Sequence, residues 1–251
     1  MKSNILTQTK DALRAIPGVV LALFILSVVS MNLLAKKSIF NLPWLASTAG
    51  VFVSWVSFLC MDAVCKRFGS TAANRMNIVA MLISFLASII YMLICKIPGT
   101  WAATYGASSP EVAAEMNSGI DATFSSAWYI VIGSAVAMFL GGLVNSVVNR
   151  FIGSKLDKRD SYKGFAIRSF VSTAAGQFVD NISFAFFVSY FFFGWTITQV
   201  LVCSFMMMLL ELVFEVVFSP IGYKMAQNWK KENVGSDYII KYEPDMVAAT
   251  C

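Results

Sequence analysis

Six long apolar runs, separated by polar connections, occupy most of the chain: Ile16–Ala35, Trp44–Met61, Met76–Cys95, Ala127–Asn149, Ser169–Phe193 and Thr196–Ile221. Each approaches the roughly 20 residues an α-helix needs to cross a bilayer's hydrocarbon. Lipid offers no partners to the backbone of an open strand, so the runs predict helices. The first run is too long for the apolar part of a cleavable signal and reads as a span. The pattern predicts an all-α integral membrane protein, a bundle of six transmembrane helices. Residues 1–15 form an N-terminal segment, 16–225 the bundle and 226–251 a C-terminal tail. The link Gly194-Trp195-Thr196 is very short, which makes the last two spans a tight hairpin.

The cations orient this bundle. Lys2, Lys10 and Arg14 precede the first span, and Lys66, Arg67 and Arg75 lie between the second and third. Six more, from Arg150 to Arg168, lie between the fourth and fifth, and Lys224, Lys230, Lys231 and Lys241 follow the sixth. Sixteen of the nineteen thus fall on one side, leaving Lys36, Lys37 and Lys96 for the other. The excess of Lys and Arg in cytoplasmic connections places both termini of this multi-pass protein in the cytoplasm.

Composition agrees. Of 251 residues, 58% are hydrophobic and 13% charged, where a soluble domain carries about a quarter charged. The net charge of +5 is dispersed between apolar runs, so nucleic acid is not an expected partner and the lipid bilayer is. There is no histidine, and the five cysteines make no metal spacing, so no metal or cofactor is expected. No Gly-x-Ser-x-Gly or evident Ser–Lys pair is present, and no catalytic residue or enzyme activity is expected. The absence of a phosphate-binding Gly-rich loop excludes ATP hydrolysis by these residues. The connection 96–126 is the longest; Pro110–Met116 reads as a short helix capped by Ser109, either a lid or a plain surface loop. The tail after Lys230 is expected to be loosely ordered.

Polar side chains inside the spans are the pointers to function, because burying them in lipid is unfavourable. Asp180 lies near the middle of the fifth span, where a carboxylate costs about 2.5–3.5 kcal/mol on insertion scales. Gln177 and Thr173 share its helix face, while Asn181 points elsewhere. Asp180 is either a binding or coupling carboxylate on a cavity or a structural one bonding another helix. Glu211 and Glu215 are one turn apart in the sixth span: either a pair that carries a proton or holds a cation, or Glu215 lies near the inner surface, where it meets Arg150 or Arg168. Asn145 and Asn149 are one turn apart in the fourth span; they supply amides to a ligand or bonds between helices. Asn32 ends the first span, Ser54, Trp55 and Ser57 lie in the second, and Asp62 closes the second. One ring of the Phe184–Phe193 tract has the option of stacking on a planar ligand.

Two stretches carry a family resemblance. One is Asp62-Ala63-Val64-Cys65-Lys66-Arg67-Phe68-Gly69; the other runs from Arg168 through Gly176-Gln177-Phe178-Val179-Asp180-Asn181. Both resemble the VUT family of queuosine precursor transporters, which shows an Asp-x-x-x-Glu-x-Tyr-Gly run after span two and a Gln-x-x-Asp pair in span five. Asn149-Arg150 with Lys155-Leu156 is similar to the family's inner end of span four. Lys66 stands where the family usually has Glu, Phe68 where it has Tyr and Trp55 where it has Pro. The resemblance implies import of a queuosine precursor, 7-cyano-7-deazaguanine or a related deazapurine, by alternating access. The expected substrate-binding set is Asp180, Gln177, Asn145, Glu211, Asn149, Asn32 and Asp62. A buried carboxylate accepts the ring N–H and exocyclic amine of such a base side by side. The alternative is a substrate-binding subunit of a vitamin-type importer that needs a separate energising partner.

Overall fold

Proline and glycine set most of the breaks in this helical chain. The computed structural model describes residues 4–101, 106, 108–125, 127–155 and 162–244. Helix α1 (Ile5–Ala15) starts at Asn4, whose side chain accepts from the Leu6 N–H at 3.3 Å. It stops at Ile16, which is extended because Pro17 follows. Helix α2 (Gly18–Leu34) then leaves at 108° to α1.

A β-hairpin follows, β1 (Ser38–Asn41) pairing antiparallel with β2 (Ala46–Thr48). Leu42 and Leu45 exchange backbone hydrogen bonds across Pro43 and Trp44. The second apolar run was expected to be helical from Trp44; the helix begins instead at Val51. Hydropathy did not separate the apolar residues of this turn and strand from those of the helix behind them.

Helix α3 (Val51–Ile94) is 44 residues long, about 66 Å if straight. Gly69, at φ 85°, ψ 165°, breaks it into arms 51–68 and 70–94, which carry the second and third apolar runs. Only glycine adopts that backbone conformation without penalty. Helix α4 (Pro110–Ser125) extends well past the expected Met116, with Ser109 Oγ accepting from the Val112 N–H. Helices α5 (Ala127–Lys155) and α6 (Tyr162–Phe184) follow. A π-helical turn, Ala185–Tyr190, and a last turn, Phe191–Phe193, continue α6 to Gly194. Helix α7 (Ile197–Lys231) opens with a reciprocal cap between Thr196 and Gln199, and α8 (Ser236–Tyr242) completes the fold.

The chain is an all-α membrane protein. Among the described residues three helical runs are long and apolar enough to cross a bilayer: Val51–Ile94, Pro110–Asn145 and Ile197–Phe218. The bent α1–α2 pair is a fourth candidate. Helix α6 is not among them, since Thr173, Gln177, Asp180 and Asn181 dilute its apolar character.

Helices α2 and α7 pack on α3, α5 packs along α6, and α7 closes against α6. The α5–α6 contact is close because Gly141 faces Gly176. A Cβ at Gly141 would stand 2.7 Å from the Gly176 carbonyl oxygen, and one at Gly176 2.7 Å from Asn145 Cβ. Small residues at such crossings let backbones approach, which is a main source of helix association in lipid.

The residues after Lys230 were expected to be loosely ordered, and they are docked. Tyr238 and Ile239 of α8 are buried with Ala12, Ile16, Phe68, Ala72 and Trp229. Arg67 donates to the Val234 carbonyl oxygen at 2.7 Å, and Glu243 lies against Gly69. Helices α1 and α8 therefore meet at one end of the bundle, around the break in α3. Their polar link is Asp11, whose Oδ2 accepts from Lys241 Nζ at 2.9 Å and Tyr242 Oη at 2.8 Å.

The Lys241 bond leads in holding the Asp11 carboxyl below its ordinary value, and the same bond raises the Lys241 ammonium to about 12. Asp11's contribution is complete above the ordinary carboxylate range and lost as pH falls through its lowered value. Lys241's is complete below the ordinary lysine range and lost as pH rises through about 12. Residues 236–244 are accordingly expected to stay protected from hydrogen exchange between about pH 5 and 10, and to lose protection below about pH 4. In Asp11→Asn the acid-side loss should vanish, with weaker protection at neutral pH.

Candidate functional site

Polar residues from five helices converge inside the bundle. A cavity of about 330 Å³ lies between α2, both arms of α3, α5, α6 and α7, with the β-hairpin and Trp195 across one end. Each helix contributes a stripe at helical spacing. On α6 it runs Asp180, Asn181, Phe184, Ala185 and, through the π-helical turn, Ser189; on α7 it runs Cys203, Ser204, Met207, Glu211. Helix α2 adds Asn32, the arms of α3 add Ser54, Ser57, Phe58 and Asn77, and α5 adds Ser134. Five methionines, Met31, Met61, Met81, Met138 and Met207, complete a soft apolar wall that can follow a ligand's outline.

Two carboxylates face this space from adjacent helices. Glu211, 8% exposed, accepts a hydrogen bond from Asn181 Nδ2 at 2.7 Å, and Asp180 is its charged neighbour. Asn181 Nδ2 also donates to the Gln177 carbonyl oxygen at 2.9 Å, which fixes the amide's orientation. The Asp180 carboxylate has no hydrogen bond or ion pair among the described residues. Its Cβ packs where a side chain on Gly141 would otherwise stand, so the close α5–α6 crossing positions it. No lysine or arginine lines the cavity among the described residues.

The hairpin is tied over its end of the cavity. Gln199 Nε2 donates to Asn41 Oδ1 at 2.8 Å and to the Leu42 carbonyl oxygen at 2.7 Å, and the Ala46 N–H donates to Cys203 Sγ at 3.0 Å. Ser47 and Thr48 of β2 thereby become cavity wall.

Of the expected site residues, the structure brings Asp180, Glu211 and Asn32 to the cavity. Asn32 is also a brace: it donates to Ser84 Oγ at 3.0 Å and accepts from Ser134 Oγ at 2.9 Å, joining α2, α3 and α5. Three others stand elsewhere. Gln177 lies one turn short of the α6 stripe, with a buried Oε1 that has no hydrogen-bond partner among the described residues. Asn145 packs at the α5–α6 crossing against Gly176. Asp62 is paired with Lys66 at 2.7 Å, beside Gly222 and away from the cavity. The side chain of Asn149 lies outside the described residues.

Asn181, expected to point off Asp180's face toward a neighbouring helix, does bond Glu211 of α7, and it also lines the cavity. Asn77 and Ser189 were missed. Nothing local marks Asn77 as inward, whereas Ser189, one turn beyond Ala185 within the π-helical segment, follows the spacing of the α6 stripe. The paired reading of Glu211 and Glu215 also changes. Glu215 does not line the cavity and has Asp62 and Lys66 as charged neighbours.

That lower cluster supports a prediction. The Asp62–Lys66 pair is about a third exposed, and such pairs contribute about 0–1 kcal/mol to stability. Lys66→Glu should therefore keep membrane yield while placing a third carboxylate beside Asp62 and Glu215. The expected result is a changed transport rate at unchanged yield; a collapse in yield would contradict it.

No curated protein and no solved structure matches the chain. A family model does, over residues 48–225, which takes in both arms of α3, the cavity stripes of α5, α6 and α7, and the crossing at Gly141 and Gly176. The chain belongs to that family, described as "Putative vitamin uptake transporter".

Proposed function

We propose that this protein imports a small planar heterocycle, a queuosine precursor such as 7-cyano-7-deazaguanine, across a bacterial inner membrane by alternating access. The observation that carries this reading is Asp180, a carboxylate with no hydrogen bond or ion pair among the described residues, on the wall of a cavity between five helices. A ring N–H and an exocyclic amine side by side match its two oxygens, and an acceptor so placed has no structural bond to lose. Phe58 and Phe184 offer faces for the ring, and the amides of Asn77 and Asn181 lie on the same wall. The size is apt, since ligand pockets begin at about 300 Å³.

In this reading the six apolar runs are six spans, with both termini cytoplasmic. The contact between α1 and α8 supports a common side for the termini, and the cation distribution supports the cytoplasm. The hairpin then covers the outer end of the cavity, and the Asp62–Lys66–Glu215 cluster lies toward the inner end. Opening one end while the other is closed would carry the ligand inward.

The family's description favours a second reading, capture of a vitamin-type heterocycle for a separate energising partner. One experiment separates the two. Cells lacking their own uptake, expressing this chain alone, are offered a panel of deazapurines and vitamins, and accumulation is followed by mass. Accumulation of 7-cyano-7-deazaguanine is the expected result. Uptake of a vitamin instead would replace the substrate, and uptake only with a co-expressed ATPase module would replace the mechanism.

A further inference from the structure

We infer that, among planar heterocycles, the cavity binds those that carry a positive charge more tightly than their neutral counterparts. This deepens, and rests on, the binding role given above to the Asp180 cavity. The argument is one of charge balance. Asp180 and Glu211 both line the cavity, on adjacent helices, and Asp180 is Glu211's charged neighbour. The described residues bring no lysine or arginine to the wall to offset them. The nearby cations are engaged elsewhere: Lys66 with Asp62, and Lys36 with the Ala122 carbonyl oxygen at 2.8 Å. A buried acid keeps its charge only beside a positive partner, and the bonds on the page give neither acid one, so a cationic occupant is what would hold either in its charged form.

The two acids are also placed for different tasks. Glu211 is oriented by the Asn181 amide, with one oxygen engaged, while Asp180 is free to accept in plane. A ligand with a hydrogen-bonding edge and a separate ammonium, or a charged ring, satisfies both. The walls suit it as well, because Phe58, Phe184 and Trp195 present faces that attract cations.

The test compares matched pairs that differ in charge and little else, by equilibrium binding to the purified full chain in lipid nanodiscs. One pair is 7-aminomethyl-7-deazaguanine, cationic at neutral pH, against 7-cyano-7-deazaguanine. The other is 1-methylnicotinamide, permanently cationic, against nicotinamide. The cation of at least one pair should bind about ten- to a hundredfold tighter than its neutral twin, the range a charge-assisted hydrogen bond supplies. In Glu211→Gln that ratio should fall toward one. The wild-type ratio decides the matter even where the variant fails to fold. Equal or tighter binding of the neutral twin in every pair that binds overturns the inference, and leaves the deazapurine reading standing if the cyano compound is bound. Charge preference in the nicotinamide pair, with neither deazaguanine bound, upholds the inference and removes the deazapurine. If none of the four binds, both readings fall.

Discussion

Asp180→Asn should leave the protein in the membrane at normal yield and remove most of its uptake. The carboxylate has no protein partner among the described residues, so its replacement breaks no bond that holds the helices together. Exchanging the carboxylate for an amide adds no charge to the bundle interior, so folding is unharmed. Binding is another matter. A hydrogen bond to a charged group is worth about 1.5–3 kcal/mol, or roughly ten- to a hundredfold in affinity. The asparagine NH₂ also faces the ligand's own donors, which adds an unpaired contact. Uptake measured against expression should drop at least about tenfold. Asp180→Glu keeps the charge on a longer stem and should retain part of the activity. Normal uptake by Asp180→Asn would take Asp180 out of the site.

Gly141→Leu should do the reverse, lowering yield and uptake together. Even a Cβ at this position would stand 2.7 Å from the Gly176 carbonyl oxygen and 2.8 Å from Asp180 Cβ. Backbone cannot yield as the tip of a side chain does, so α5 and α6 must separate. Overpacking of this kind costs about 1–3 kcal/mol and sometimes more. The close approach that drives their association in lipid is lost as well. The separation also moves Asp180, since that residue packs directly on Gly141. Gly141→Ala should show a milder form of the same loss, whereas Gly142→Ala should be silent, because a Cβ there meets nothing within 4 Å. Thermal stability in detergent ranks the three. An unaffected Gly141→Leu would show that the crossing is not close.

What could be read from the sequence follows from which forces act locally. Apolar run length locates the helices of a membrane protein because the hydrocarbon imposes it, and α2, α3, α5 and α7 lie on the runs. The rarity of acids in such runs singled out Asp180 and Glu211, and both reach the cavity. Helical spacing, however, gives only the angle of a side chain about its own axis. How far a cavity extends along a helix depends on its neighbours, so Gln177 shares the face of Asp180 yet lies beyond the stripe. Asn145 was drawn into the crossing by Gly141 and Gly176, a contact between segments far apart in sequence.

Elements fixed by distant partners were the ones missed. The hairpin at 38–48 is held by Gln199 and Cys203, some 157 residues away, so nothing local distinguishes it from the start of a span. The tail looked loose because it is polar, yet Tyr238 and Ile239 bury against Phe68 beside the one glycine that bends α3. Lys66 was noted as a departure from the resembling family, and it proved to neutralise Asp62. Asp62 therefore belongs to the lower charge cluster rather than to the site.

The central claim is that position 180 looks onto water inside the bundle, and thiol chemistry tests it directly. The five native cysteines are replaced by serine, and single cysteines are placed at Asp180→Cys and at Phe139→Cys, whose phenyl is 68% exposed on the outer face of α5. A charged methanethiosulfonate reacts with thiolate, which forms only where water reaches. The account predicts rapid labelling of Asp180→Cys in intact membranes and none of Phe139→Cys, which faces lipid. An inert Asp180→Cys, as unreactive as Phe139→Cys, would mean a dry helix contact at that point and would contradict the account.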